Sequence, residues 1–401
     1  MDGNQMKARS GGADEQRLKK PGITQTCILF SITIILFIFI GYRVQRVEFY
    51  SGILITEFGL IMLPAFVLLL IFRFDLKFVL RLNKTKLVNY FVTFGIMLFA
   101  IPLAGMFNLL NLLLVNSIFG KVIIQQVPVA KNGTELLLNI IVIAGSAGIC
   151  EEFLFRGVIQ RGLERFGAAK AILLAAFLFS LTHVDFQKIF GTFLLGALIG
   201  FIVYRTNSLY CGVFAHFTNN ALAVLISYGA AKLTSMFQET AMNITEETDL
   251  NSLFSTFGEL PPQQLVIVFF IYGFMFLFFA ILFILLLYAL IRLNPVRGLP
   301  EAVNVDVDSN TSTRLVGYNG ANLTDRSSAG LAGRSELPEI PGRSGRLTRS
   351  ELPERTGRQM IGLLWLLPGI LLIFGIYYFQ VFRFTGAENT FIDIAKRLLG
   401  V

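Results

Sequence analysis

The long apolar segments of this sequence constrain its fold more than any other feature. A helix rises 1.5 Å per residue, so about 20 apolar residues cross the roughly 30 Å of hydrocarbon in a bilayer. With 54% hydrophobic residues, the chain is too apolar for a soluble domain of 401 residues. The segments predicted to be helices are 23–42, 52–72, 88–115, 135–166, 169–185, 189–206, 209–226, 263–292 and 361–382. We therefore expect an all-α, polytopic transmembrane helical bundle with about eight to nine spans.

Basic residues between the apolar segments predict the orientation of the chain. Loops rich in Lys and Arg usually stay in the cytoplasm. A cytoplasmic N-terminus places the basic segments 73–86 and 292–358 inside and the acidic segment 239–259 outside. We therefore expect a multi-pass protein of the cell membrane with its N-terminus in the cytoplasm. The net charge of +8 is explained by this orientation, so no nucleic-acid partner is expected.

Composition divides the chain into a membrane domain and polar segments. Residues 1–22 are predicted to be a cytoplasmic tail, 23–292 the membrane helical domain, and 361–401 a last transmembrane helix with its tail. Residues 293–360, rich in Arg, Gly, Ser and Pro, have no hydrophobic period and are predicted to be a disordered linker. The hexapeptide Arg-Ser-Glu-Leu-Pro-Glu occurs twice within 297–358, and it is either a docking motif for a partner or a spacer without function.

Five ionisable residues inside the predicted spans require an explanation, because each costs about 3 kcal/mol to insert. His183 and His216 are the only histidines of the chain, and Glu151, Glu152 and Arg156 lie in the fourth span. Residues four apart share a helix face, so Glu152 and Arg156 are predicted to form an ion pair. Glu151 is left without a cation, and a poorly hydrated site makes such a carboxylate a better proton acceptor.

These polar residues are predicted to lie at similar depths in the membrane. Counting from the basic end of each helix gives about 21 Å for Glu151, 20 Å for His183 and 16 Å for His216. Asn220 lies one turn beyond His216 on the same face and is able to donate or accept a hydrogen bond. A shared buried site is therefore predicted, whereas Glu57 is assigned to hydrogen bonding between helices.

Three motifs in consecutive spans carry a resemblance to a known family. The first is a double glutamate followed by an arginine, and the other two are a phenylalanine and a histidine, and a histidine and an asparagine, each pair separated by three residues. In sequence they are Glu151-Glu152-x-x-x-Arg156, Phe179-x-x-x-His183 and His216-x-x-x-Asn220. Over about residues 135–226 the chain resembles the CAAX protease and bacteriocin-processing (CPBP) family, which includes the Ras-converting CAAX endopeptidase.

The resemblance implies an intramembrane glutamic endopeptidase. In such an enzyme Glu151 would be the general base that activates water, and His183 would help to hold that water. His216 and Asn220 would stabilise the oxyanion, with Glu152, Arg156 and Phe179 as supporting residues. The expected partners are a peptide or membrane-protein substrate and the lipid bilayer, and no cofactor is expected.

Three alternatives remain open from the sequence. In the first, Glu151, His183 and His216 are ligands of a catalytic zinc ion that lowers the pKa of bound water. In the second, the protein is a catalytically silent scaffold or a bacteriocin-immunity protein of the same fold. In the third, the buried Glu and His residues belong to a transporter, although the spans contain no internal repeat.

Overall fold

The computed structural model describes residues 20–122, 128–240, 260–295 and 360–385, and these residues form helices without any strand. We number the main helices α1 (Ile23–Val47), α2 (Phe49–Ile71), α3 (Leu87–Phe119), α4 (Gly133–Phe166), α5 (Ala168–Thr182), α6 (Ile189–Thr206), α7 (Leu209–Thr240), α8 (Pro262–Leu293) and α9 (Met360–Val381). In this part of the chain, eight helices are long and apolar enough to cross a membrane. The predicted polytopic all-α fold is confirmed.

Local sequence signals explain several of the helix boundaries. The Glu48 carboxylate accepts hydrogen bonds from the backbone N–H groups of Tyr50 and Ser51, and so caps α2. Asn132 caps α4 in the same way, accepting from the Glu135 N–H at 2.9 Å. Gly120, with φ of +70°, ends α3 in the left-handed conformation that glycine adopts without strain. The predicted gap between the first two spans shrinks to Glu48 alone, because the helical backbone of α1 continues through its basic end.

The fifth helix is shorter than the sequence predicts. α5 has 15 residues and ends at Thr182, not at 185. Val184 takes a positive φ of +49°, which a continuing α-helix does not allow. At about 22 Å, α5 is shorter than the hydrocarbon core of a bilayer.

Helix α4 lies at the centre of the bundle and contacts α1, α2, α5 and α7. Its closest approach to α7 depends on Gly148, where an added Cβ would lie 3.1 Å from the Phe217 nitrogen and 3.3 Å from the Val213 oxygen. Its apolar side chains share one core with those of α1, α2, α5 and α9. The candidate site is therefore built on a helix that packs against four other helices of the described bundle.

One carboxylate joins three segments at the basic end of α4. Glu164 accepts from Lys20 at 3.1 Å, Arg81 at 2.5 Å and Arg161 at 2.6 Å. Burial, together with the neighbouring charge of Arg161, lowers the pKa of Lys20. This network fixes the segment before α1 and the loop after α2 against α4.

Several predicted regions lie outside the described residues. The N-terminal tail and the 293–360 linker with its repeated hexapeptide fall almost wholly in the undescribed ranges, as do the acidic 239–259 segment and most of the tail after α9. The domain boundaries there stay predictions.

Candidate active site

A buried ion pair within α4 forms the base of the site. The Nη1 atom of Arg156 donates to Oε1 of Glu152 at 2.7 Å, and the two side chains are 1% and 0% exposed. The predicted i,i+4 ion pair is therefore present. Because both charges are removed from water, each requires the other as a partner.

The same carboxylate oxygen holds His216 of α7. Nδ1 of His216 lies 2.8 Å from Oε1 of Glu152. A carboxylate accepts hydrogen bonds and does not donate them, so this contact assigns a proton to Nδ1. The other ring nitrogen, Nε2, then faces Oε2 of Glu151 at 3.9 Å. Glu152 thus fixes the orientation of His216 in the way that outer carboxylates orient functional imidazoles.

Phe179 of α5 connects the ion pair to both histidines. The Arg156 guanidinium lies 4.6 Å from the centre of the Phe179 ring, and its Nη2 donates to the Gly196 carbonyl at 2.9 Å. The Phe179 ring makes edge contacts with His183 at 5.0 Å and with His216 at 5.8 Å, measured between centroids. Phe179 is therefore an apolar wall that keeps the two imidazoles on one side of the site.

His183 and Asn220 keep hydrogen-bonding capacity that the protein does not use. His183 follows the last residue of α5 and is half-buried, and among the described residues its ring nitrogens have no hydrogen-bond partner. The Asn220 side-chain oxygen accepts from Asn219 at 3.0 Å, which leaves the Nδ2 group of Asn220 without a partner in the described chain. Both groups are available to a water molecule or a substrate.

Glu151 is a nearly buried carboxylate with little compensation. Its side chain is 13% exposed, and its Oε2 atom makes no hydrogen bond within the described residues. Arg156 interacts with it electrostatically, but this cation is bonded to Glu152. An unpaired carboxylate beside an oriented imidazole is typical of a general base.

Glu57 of α2 also belongs to the site region, and the sequence did not predict this position. It is 8% exposed, its Oε2 has no hydrogen-bond partner in the described chain, and it interacts electrostatically with Glu151. The bond between helices that we predicted for Glu57 is absent among the described residues. Residues 55–62 form wide π-helical turns, which shift side chains from the faces that a regular 3.6-residue period predicts. A carboxylate inside a span was the only available signal.

The described residues do not assemble a metal site. Nowhere in the ranges that the structure covers do three His, Cys, Asp or Glu side chains take an arrangement able to hold a metal ion. The set of Glu151, His183 and His216 therefore lacks the close three-ligand grouping of catalytic zinc.

Fold and site together define a class: a multi-pass helical membrane protein with a buried carboxylate and histidine cluster in its central helices. Residues 133–222 match the family model described as Rce1-like, type II CAAX prenyl endopeptidase, whereas no curated protein and no solved structure matches the chain. This partial match supports the CAAX protease (CPBP) family that the motifs predicted. The matched range contains all the residues that the sequence predicts for catalysis or support: Glu151, Glu152, Arg156, Phe179, His183, His216 and Asn220.

Proposed function

We propose that the protein is an intramembrane endopeptidase that hydrolyses a peptide bond with a water molecule activated by Glu151. One observation carries the proposal: the unpaired Glu151 carboxylate faces His216, whose orientation is fixed by the Glu152 and Arg156 ion pair. A protein that only binds a partner gains nothing from burying an uncompensated carboxylate, which costs several kcal/mol. A hydrolase gains a proton acceptor.

In the proposed reaction, Glu151 accepts a proton from water while the water oxygen attacks the carbonyl carbon of the scissile bond. His183, whose ring nitrogens have no hydrogen-bond partner among the described residues, holds this water in place. The carbonyl oxygen becomes negatively charged in the tetrahedral intermediate. Collapse of the intermediate breaks the C–N bond, and the proton held by Glu151 passes to the leaving amine.

The negative oxygen of the intermediate would be stabilised by Asn220 and His216. The Nδ2 group of Asn220, which has no partner in the part of the chain that the structure describes, is able to donate to this oxygen. His216 already donates through Nδ1 to Glu152, so it serves the oxyanion only when Nε2 is also protonated. The Glu152 carboxylate stabilises that doubly protonated ring, which gives the buried ion pair a supporting role in the chemistry.

We propose a membrane-associated peptide as substrate, with a prenylated C-terminal CAAX segment as the first candidate. The matched family is described as CAAX prenyl endopeptidases. A prenyl chain partitions into the bilayer and would deliver the peptide to the depth of the site. We also propose residence in the cell membrane with a cytoplasmic N-terminus, on the basis of the basic residues beside the spans.

The proposal is tested by comparing membrane peptides of host cells that carry wild-type protein or the Glu151→Gln variant. Gln keeps the shape of Glu151 but accepts no proton, so cleaved peptides should disappear. Glu135→Gln is the matched control, since it makes the same change on the same helix at a distance of about 24 Å. If the peptide pattern of Glu151→Gln equals that of the wild type, the site assignment is wrong.

The same strains separate the alternatives. Function that persists in Glu151→Gln cells without any peptide cleavage would indicate a scaffold or an immunity protein. For the zinc-dependent version, metal content is measured in purified protein before and after chelation. Stoichiometric zinc whose removal reversibly abolishes cleavage would replace the proposed metal-free mechanism.

A further inference from the structure

The residue that follows His183 has a strained backbone. Val184 has φ of +49°, in the left-handed region that a β-branched side chain rarely adopts. Its N–H donates to the Leu181 carbonyl at 3.1 Å, so the chain turns sharply after α5. Strain of this kind costs on the order of 1–3 kcal/mol and persists only where surrounding contacts impose it.

The contacts that impose this turn come from α9. The Gln380 side-chain amide donates to the Val184 carbonyl at 2.7 Å. One helical turn earlier, the Tyr377 ring packs edge-on against Phe186 with centroids 6.4 Å apart. Gln380 and Tyr377 are three residues apart and share a helix face, so α9 contacts both sides of the turn that begins at His183.

Helix α9 is itself anchored in the bundle. Ser31 of α1 donates through its hydroxyl to the Trp365 carbonyl at 2.6 Å, and the Gly369 N–H donates back to the Ser31 oxygen at 3.3 Å. Ile373 and Tyr377 belong to the same buried core as Phe179. The α9 contact with the turn is therefore part of the packed protein and not an isolated surface contact.

From this geometry we propose that Gln380 is a positioning residue for His183. Its hydrogen bond holds the Val184 peptide in the left-handed turn, and this sets the direction in which the His183 ring leaves the backbone. The matched family segment ends at residue 222, so the chain supplies this contact from a helix outside that segment. The inference rests on the proposed function, because it assumes that His183 holds the catalytic water.

The test uses the Gln380→Leu variant of the 401-residue protein, in which an apolar side chain of similar size replaces the hydrogen-bond donor. We expect kcat to fall roughly 10- to 100-fold with KM unchanged, because a misplaced water ligand impairs the chemical step and not substrate binding. Amide hydrogen exchange of residues 183–188 should become faster. Leu371→Ala is the control on α9, since the Leu371 side chain is 65% exposed on the outer surface of the described bundle.

A second variant separates positioning from general damage to the fold. Asn adopts the left-handed conformation more readily than Val, so Val184→Asn should hold the turn with less help from α9. In the Val184→Asn background, Gln380→Leu should therefore cost clearly less kcat than it costs in the wild type. A variant that merely destabilises α9 would show the same loss in both backgrounds.

Each outcome decides one question. Unchanged exchange at 183–188 in Gln380→Leu would show that the hydrogen bond does not hold the turn. Faster exchange with normal kcat would show that the turn does not position a catalytic group. If wild-type protein shows no cleavage while exchange still rises in Gln380→Leu, the proposed function fails and the contact between α9 and the turn stands.

Discussion

Removing Arg156 should destabilise the protein strongly, because Glu152 would keep its charge without a cation. Glu152 is 0% exposed and Arg156 is 1% exposed, so water cannot replace either partner. Deleting one partner of such a buried pair costs about 3–5 kcal/mol. The Arg156→Leu variant also loses the bond to Gly196 and the contact with Phe179, worth about 1 kcal/mol each. The expected total loss in the free energy of unfolding is about 5–7 kcal/mol.

A double variant isolates the electrostatic part of this loss. Glu152→Gln combined with Arg156→Leu removes both charges, and the Gln oxygen still accepts from Nδ1 of His216. The double variant should be more stable than Arg156→Leu by roughly 2–3 kcal/mol, although it contains one substitution more. It should not recover cleavage, since His216 loses its charged partner.

The assay is reversible unfolding of the solubilised protein at increasing concentrations of a denaturing detergent. Arg43→Leu is the control for removing an exposed arginine. A loss below about 1 kcal/mol for Arg156→Leu would refute the reasoning, because it would mean that Glu152 is not an uncompensated buried charge. A double variant less stable than the single one would refute it as well.

Two further changes test the packing that surrounds the site. Gly148→Ala should destabilise the fold by about 1–3 kcal/mol and lower cleavage, because its new Cβ would contact the backbone of α7, which cannot move aside. Gly145→Ala is the control, because the atom nearest to its new Cβ would lie 3.8 Å away. This control should leave stability and cleavage unchanged in the same unfolding and cleavage assays. Glu164→Gln should cost about 2 kcal/mol or more in detergent unfolding, because Lys20 and two arginines lose the negative charge that they share. Equal stability of Glu164→Gln and wild type would show that this network is not structural.

The sequence predicts the parts of the site that depend on local spacing. Glu152 and Arg156 were predicted to pair because residues four apart share a face of an α-helix. The use of Glu152 by His216 was not predictable, since it depends on how α4 and α7 are rotated against each other. Gly148 permits the close approach of the two helices, but a single glycine in an apolar helix does not predict a helix contact.

The turn after His183 shows the same limit more clearly. No glycine or proline marks Val184, so the sequence predicted that the helix continues to residue 185. The contacts that bend the chain come from Gln380, which is 196 residues away along the chain. Hydropathy identifies α9 as a span without revealing which helices it touches.

The most direct test of the central claim is cleavage by purified protein reconstituted in lipid vesicles, with a farnesylated CAAX peptide as substrate. Wild type and Glu135→Gln should release the same C-terminal fragment at equal rates, and Glu151→Gln should release none above background while remaining folded. Cleavage by Glu151→Gln at the wild-type rate would contradict the account, because Glu151 would then not be the group that activates water.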